Sequence, residues 1–110
     1  MTLEATLAAE PTDDGVAFTL TVTNTGSEPV QARFTDAGRA DVAVYDGDRE
    51  VWRFSAGRMY AQVMGSERFE PGEPRSFDAA WRDPEPGSYT AVGELRASDR
   101  SCQARTEFTV

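Results

Sequence analysis

The stretch VAFTLTVT, residues 16–23, alternates apolar with small or hydroxylated side chains without a break. Val16, Phe18, Leu20 and Val22 fall on one side, with Ala17, Thr19, Thr21 and Thr23 on the other. Successive side chains of a strand point to opposite faces, so a period of two predicts a half-buried β-strand. The same period extends outward in both directions. Leu3, Ala5 and Leu7 alternate with Glu4 and Thr6, and PTDDG at 11–15 supplies the turn chemistry that a hairpin needs. NTGSEP at 24–29 reads as a second turn, after which Val30, Ala32 and Phe34 resume the alternation.

A short TDAGR loop leads to DVAVY, in which Val42 and Val44 point one way, and the DGD turn at 46–48 leads into REVWRF. PGEP at 71–74 precedes SFDAAW, where Phe77, Ala79 and Trp81 share a face, and DPEPG ends that strand. SYTAVGEL places Tyr89, Ala91, Gly93 and Leu95 together. The final strand aligns Cys102, Ala104, Thr106, Phe108 and Val110 inward. About eight short strands with frequent turns and no helical period predict an all-β, immunoglobulin-like antiparallel sandwich. With 110 residues and no linker or repeat, one domain over 1–110 is expected.

Cys102 is the only cysteine, so no intrachain disulfide is possible, and its inward position predicts a buried, inert thiol. A lone cysteine suits a reducing compartment, and the start of the chain lacks a secretory pattern, so a cytoplasmic location is expected. No run approaches the ~20 apolar residues of a membrane-spanning helix.

Histidine is absent, which removes the commonest general base, the Ser–His and Cys–His nucleophile pairs and the usual zinc ligand. Paired acids could do glycosidase chemistry, but among nineteen Asp and Glu no spacing stands out. Neither Asp13-Asp14-Gly15 nor Asp46-Gly47-Asp48 has the regular oxygen spacing of a calcium loop, and both sit where a turn is needed. The sequence therefore predicts a non-enzyme with no metal and no cofactor.

One stretch breaks the pattern. In WRFSAGRMYAQVMG, residues 52–65, Trp52 and Phe54 keep strand parity and are assigned to the core, but parity fails after Ser55. Gly57 permits a turn, and Arg58, Met59 and Tyr60 follow it. Two readings fit: an exposed apolar tip carrying one cation, of the kind interfaces use, or a crossover that covers one open end of the sandwich.

The run DVAVYDGDREVWRFSAGRMYAQVMG, with the later FEPGE, Trp81 and PGSYTAVG, resembles the intracellular proteinase inhibitor (BsuPI) domain over roughly residues 16 to 110. The V-W-x-F-S-x-G-R hairpin carries most of the likeness, through Val51, Trp52, Ser55, Gly57 and Arg58, with Asp46 before it and Gln62 after it. Pro71, Gly72 and Glu73, then Pro86, Gly87 and Tyr89, match two further turns. Tyr60 and Ala61 stand where the family pattern shows Phe and Thr, and Val42 where it shows Phe. Loss of the Thr hydroxyl puts any side-chain clamp at 61 in question. The resemblance implies an immunoglobulin-like fold and a subtilisin-type serine protease as partner. It also implies a protease-binding loop of Ser55, Gly57, Arg58, Met59, Tyr60 and Gln62. Met59 or Tyr60 would be the reactive residue, over Trp52 and Phe54, and Ser55, Arg58 and Gln62 would hold the loop by hydrogen bonds. The alternatives are a non-inhibitory interaction module with another partner, or a carbohydrate-binding or hydrolase sandwich, which the inward parity of Trp52 and Trp81 opposes.

All eleven basic residues are Arg, Ile is absent and the formal charge is −8. This balance opposes binding to nucleic acid or anionic membranes, which draw affinity from cationic side chains. It resembles the composition of haloarchaeal proteins, in which carboxylates hold water in concentrated salt. Self-repulsion is screened within ~3 Å at 1 M salt, so salt removes a penalty that dilute buffer exposes. The melting temperature is expected to rise between about 0.1 M and about 3 M KCl; a flat or falling series contradicts this.

Overall fold

The computed structural model describes residues 3–110, and strand alternation sets its architecture from the first residue described. Met1 and Thr2, which the single-domain expectation over 1–110 includes, lie outside the described residues. Nine strands and no helix are present among the described residues: β1 Leu3–Thr12, β2 Gly15–Asn24, β3 Val30–Phe34, β4 Ala40–Asp46, β5 Arg49–Arg53, β6 Gly65–Phe69, β7 Pro74–Arg82, β8 Ser88–Leu95 and β9 Gln103–Thr109. Three strands form one sheet in the order β1-β2-β7, and four form the facing sheet in the order β5-β4-β8-β9. A two-stranded ribbon, β3-β6, completes the set, and every strand pairing is antiparallel. This is the expected immunoglobulin-like β-sandwich, without a disulfide.

β2 reproduces the parity of its sequence: Val16, Phe18, Leu20, Val22 and Asn24 are buried, and the residues between them are half-exposed. Their neighbours across the sandwich come from β4, β8 and the ribbon, with Val42, Val44 and Ala91 around Phe18 and with Phe34, Phe69 and Leu95 around Leu20 and Val22. Gly93 is small for a packing reason, since a Cβ there would lie 3.1 Å from Leu7 Cδ1 and 3.2 Å from Leu20 Cδ1. Cys102 is buried as expected, and burial pushes its thiol pKa up, which disfavours the reactive thiolate.

Five rings close a circuit at one end of the core. Phe18 stacks on Trp52 with centroids 5.9 Å apart, and Trp52 on Trp81 at 5.8 Å. Trp81 meets Tyr89 edge-on at 5.1 Å, Tyr89 lies 5.7 Å from Phe108, and Phe108 returns to Phe18 at 5.4 Å. The contributing strands β2, β5, β7, β8 and β9 come from both sheets, so the circuit ties the layers together where antibody domains use a disulfide. The Tyr89 hydroxyl donates to the Glu85 carbonyl at 2.6 Å, four residues upstream, in the manner of a tyrosine corner.

Two elements depart from the sequence reading. β6 is a ninth strand that the alternation did not reveal, because GSERF buries only Phe69 and its other side chains are polar or absent. β1 runs on through Pro11 and Thr12, which were assigned to a turn; β1 is an outer strand, where a missing amide donor is tolerated. Asn24 anchors the turn that follows β2. Its amide donates to the carbonyls of Glu28 and Phe69, and its Oδ1 accepts from the Gly26 amide.

Glu67 of β6 bridges two arginines, accepting from Arg39 at 3.0 Å and from Arg75 at 2.5 Å. The hydrogen bond from Arg39, followed by that from Arg75, holds its carboxyl below the ordinary value of 4.5, against an opposing effect of burial. A depressed native pKa contributes stability that is present above the unfolded value and lost as pH falls through the native one. The urea midpoint is therefore expected to decline as pH drops below the ordinary carboxylate value. Glu67→Gln is expected to flatten part of that decline; a pH profile identical to that of the native chain contradicts the assignment.

Candidate functional site

The irregular stretch begins where β5 ends, and its geometry is set by a carboxylate on β4. Asp41 is 4% exposed. Its Oδ1 accepts from the Val42 amide at 2.9 Å and the Ser55 amide at 3.0 Å, and its Oδ2 accepts from Ser55 Oγ at 2.7 Å and Arg53 Nη1 at 3.0 Å. A buried carboxylate needs such partners, because an uncompensated charge in the interior is strongly destabilising. Arg53 is shared with Glu50, and these two hydrogen bonds, Glu50 first, raise its pKa further and keep it a cation.

Two successive turns follow. Ala56 N donates to Arg53 O and Arg58 N to Ser55 O, both at 3.1 Å, and Gly57 takes φ 79°, a left-handed conformation costly for other residues. The turns bring Arg58 back over its own hairpin. Its guanidinium lies 3.8 Å from the Phe54 ring centroid, and its Nε donates to Phe54 O at 2.9 Å. Trp52 and Phe54, expected in the core, are half-buried and pack against it, with Phe54 edge-on to Trp52 at 6.3 Å.

Residues 59–64 then run without strand or helix, and their side chains divide. Met59 is 98% exposed, Val63 63% and Met64 80%. Tyr60, expected alongside Met59 as a candidate reactive residue, turns into the fold instead. Its ring packs against Gly38 and beneath the Arg96 guanidinium, 4.7 Å from the ring centroid, and Arg96 is held by Asp36 at 2.9 Å. The Tyr60 hydroxyl is buried without a partner among the described residues, so the oxygen that distinguishes it from Phe gains no hydrogen bond there.

The clamp at 61 does not need a side chain. Ala61 O accepts from the Ala37 amide at 2.9 Å and from the Val63 amide at 2.8 Å, so alanine serves where the family pattern has threonine. The second of these bonds closes a three-residue turn around Gln62. Gln62 sits at that tip, exposed, and its side chain makes no hydrogen bond among the described residues. Of the three side chains expected to hold the loop, Ser55 and Arg58 do so and Gln62 does not. Asp41, the centre of the arrangement, was not singled out in the sequence. The available signal was an acid opening the apolar run DVAVY and followed, after a hairpin, by a Ser and an Arg.

The described residues contain no cluster of His, Cys, Asp or Glu that could hold a metal ion. Among the described residues no helix is long and apolar enough to cross a membrane.

The model of the family described as intracellular proteinase inhibitor (BsuPI) matches residues 3–100, which spans β1 to β8, the Asp41 turn and the exposed strip. The chain belongs to this family. The family's description is that of an inhibitor of proteinases. A comparison with curated proteins found no match. Among solved structures, β-glucosidase from Kluyveromyces marxianus in complex with glucose aligns at 19% identity and a TM-score of 0.55, over 99% of this chain and 14% of that one. The sporulation control protein Spo0M from Bacillus subtilis aligns at 17% identity and a TM-score of 0.54, over 100% of this chain and 49% of that one. This chain thus spans under half the length of either, and at these identities the likeness is one of fold.

The hub predicts an ordered set of stabilities in urea unfolding. Asp41→Asn is expected to lower the unfolding free energy by about 2–3 kcal/mol, somewhat less than a fully buried pair because Arg53 is partly solvated. Ser55→Ala is expected to cost about 1 kcal/mol, and Tyr60→Phe nothing or a slight gain. A Tyr60→Phe loss as large as that of Asp41→Asn contradicts the hub.

Proposed function

We propose that this protein inhibits a subtilisin-type serine protease by presenting the 59–64 strip to the active-site cleft, with Met59 in the pocket that takes the residue before the scissile bond. Family membership supports the protease as partner, and the near-complete exposure of Met59 on an anchored segment is the observation that carries the assignment of the loop. Subtilisin-type enzymes accept large apolar residues at that position, and a flexible thioether side chain adapts to such a pocket.

The anchors lie on both sides of the proposed reactive bond. On the upstream side Ser55 is held by Asp41 and Arg58 by Phe54. On the downstream side Tyr60 is held under Arg96, and Ala61 by Ala37. A segment ordered before docking loses little further entropy on binding, which favours affinity. Were the 59–60 bond cut, both new ends would remain fastened to the body of the inhibitor, so the leaving amine would stay positioned to re-form it. This feature separates an inhibitor from a substrate, and here the inward-packed, half-buried Tyr60 supplies it without a disulfide.

The test is an inhibition titration of a subtilisin-type protease in high salt. Inhibition at micromolar concentration or better is expected. Met59→Asp is expected to weaken it by at least about tenfold, equivalent to ~1.4 kcal/mol, while the melting temperature stays unchanged. No inhibition by the native chain removes the reading, and inhibition indifferent to Met59→Asp moves the contact elsewhere.

A further inference from the structure

The side of the sandwich next to the strip is open. β7 is the outer strand of its sheet and β5 the outer strand of the other, and neither has a second strand partner among the described residues. Between them lies a cleft of about 720 Å³ whose walls include Phe18, Trp52, Phe54 and Ala79. Volume and lining fall within the range of peptide and small-ligand sites, which pair an apolar wall with a few polar groups.

The charge of this cleft runs against that of the chain. The protein carries a formal −8, yet Arg53, Arg58 and Arg82 border the cleft against the single acid Asp78. Arg53 is committed to Asp41 and Glu50, and Asp78 accepts from Thr19 Oγ1 at 3.1 Å. Arg58 and Arg82 form no ion pair among the described residues, although six of the other arginines do. Arg58 is held over the Phe54 ring with its terminal nitrogens making no hydrogen bond among the described residues, and Arg82 stands exposed at the end of β7. Two unpaired guanidinium groups flanking half-buried rings, between two unpaired strand edges, fit one chemistry: an extended chain with carboxylates beside an apolar side chain.

We infer that the β5–β7 cleft binds an extended acidic peptide segment. Its main chain lies along the β7 edge, an apolar side chain rests against Trp52 and Phe54, and its carboxylates engage Arg58 and Arg82. The cleft is separate from the 59–64 strip and its assignment does not depend on what the strip binds, although Arg58 adjoins both.

The experiment uses the full chain and two blocked peptides, Glu-Val-Phe-Glu-Val and its Lys-Val-Phe-Lys-Val counterpart. About 1 M KCl suppresses long-range repulsion from the net charge while leaving close contacts in place. Amide chemical shifts and tryptophan fluorescence report binding. The acidic peptide is expected to give saturable shifts on β5 and β7 with millimolar affinity or better, and the basic peptide none. Arg82→Glu is expected to weaken the acidic peptide at least about tenfold and Arg82→Gln less, both with native-like spectra, since the side chain is exposed. An absent or non-saturable response to the acidic peptide, an equal response to both peptides, or an unchanged affinity in Arg82→Glu overturns the inference. None of these outcomes touches protease inhibition by Met59, which is read in a separate assay.

Discussion

The site depends on one buried carboxylate. Asp41 sits on β4 under the end of the β4–β5 hairpin, where four donors converge on its two oxygens. Each donor belongs to a segment that must be placed: Val42 to the core strand, Arg53 to the hairpin end, Ser55 to the turn that launches the exposed strip. Once the charge is buried it must be satisfied, and this arrangement of the turn satisfies it. The constraint runs from an electrostatic necessity in the interior to the direction of a loop at the surface.

Two other devices act with it. The aromatic circuit fixes Trp52, and through it Phe54, so that the platform under Arg58 belongs to the core. The Arg96–Tyr60 contact and the Ala37–Ala61 hydrogen bond fix the far side of Met59. Between these points Met59 has no packing of its own. A methionine left almost wholly in water between fixed neighbours is hard to account for as packing, and is what a docking residue requires. The opening question for this stretch, tip or crossover, has a mixed answer at the level of side chains: Tyr60 packs inward and Met59 projects outward.

The sandwich was legible because its strands alternate. Val16 to Thr23 buries the side that its parity names, Cys102 to Val110 turns its named side at least half inward, and Gly93 falls on the inner side because Leu7 and Leu20 leave no room for more. β6 was not legible, since only Phe69 of its five residues carries an inward apolar signal. Asp41 escaped for a related reason. All of Asp41 to Val44 is buried, so the strand is covered on both faces and parity says nothing about an acid at its start. The division between Met59 and Tyr60 was beyond the sequence as well, because it depends on Arg96 and Gly38, brought close only by the fold.

The proposed contact between this chain and a protease is tested most directly by mapping where such a protease touches it. Hydrogen exchange of the protein alone and with a subtilisin-type protease inactivated at its serine answers this. The predicted result is added protection of the amides from Ser55 to Met64, with β9 and the far edge of β1 unchanged. Protection confined to β9 or β1, with residues 55–64 exchanging as they do in the free protein, would contradict it.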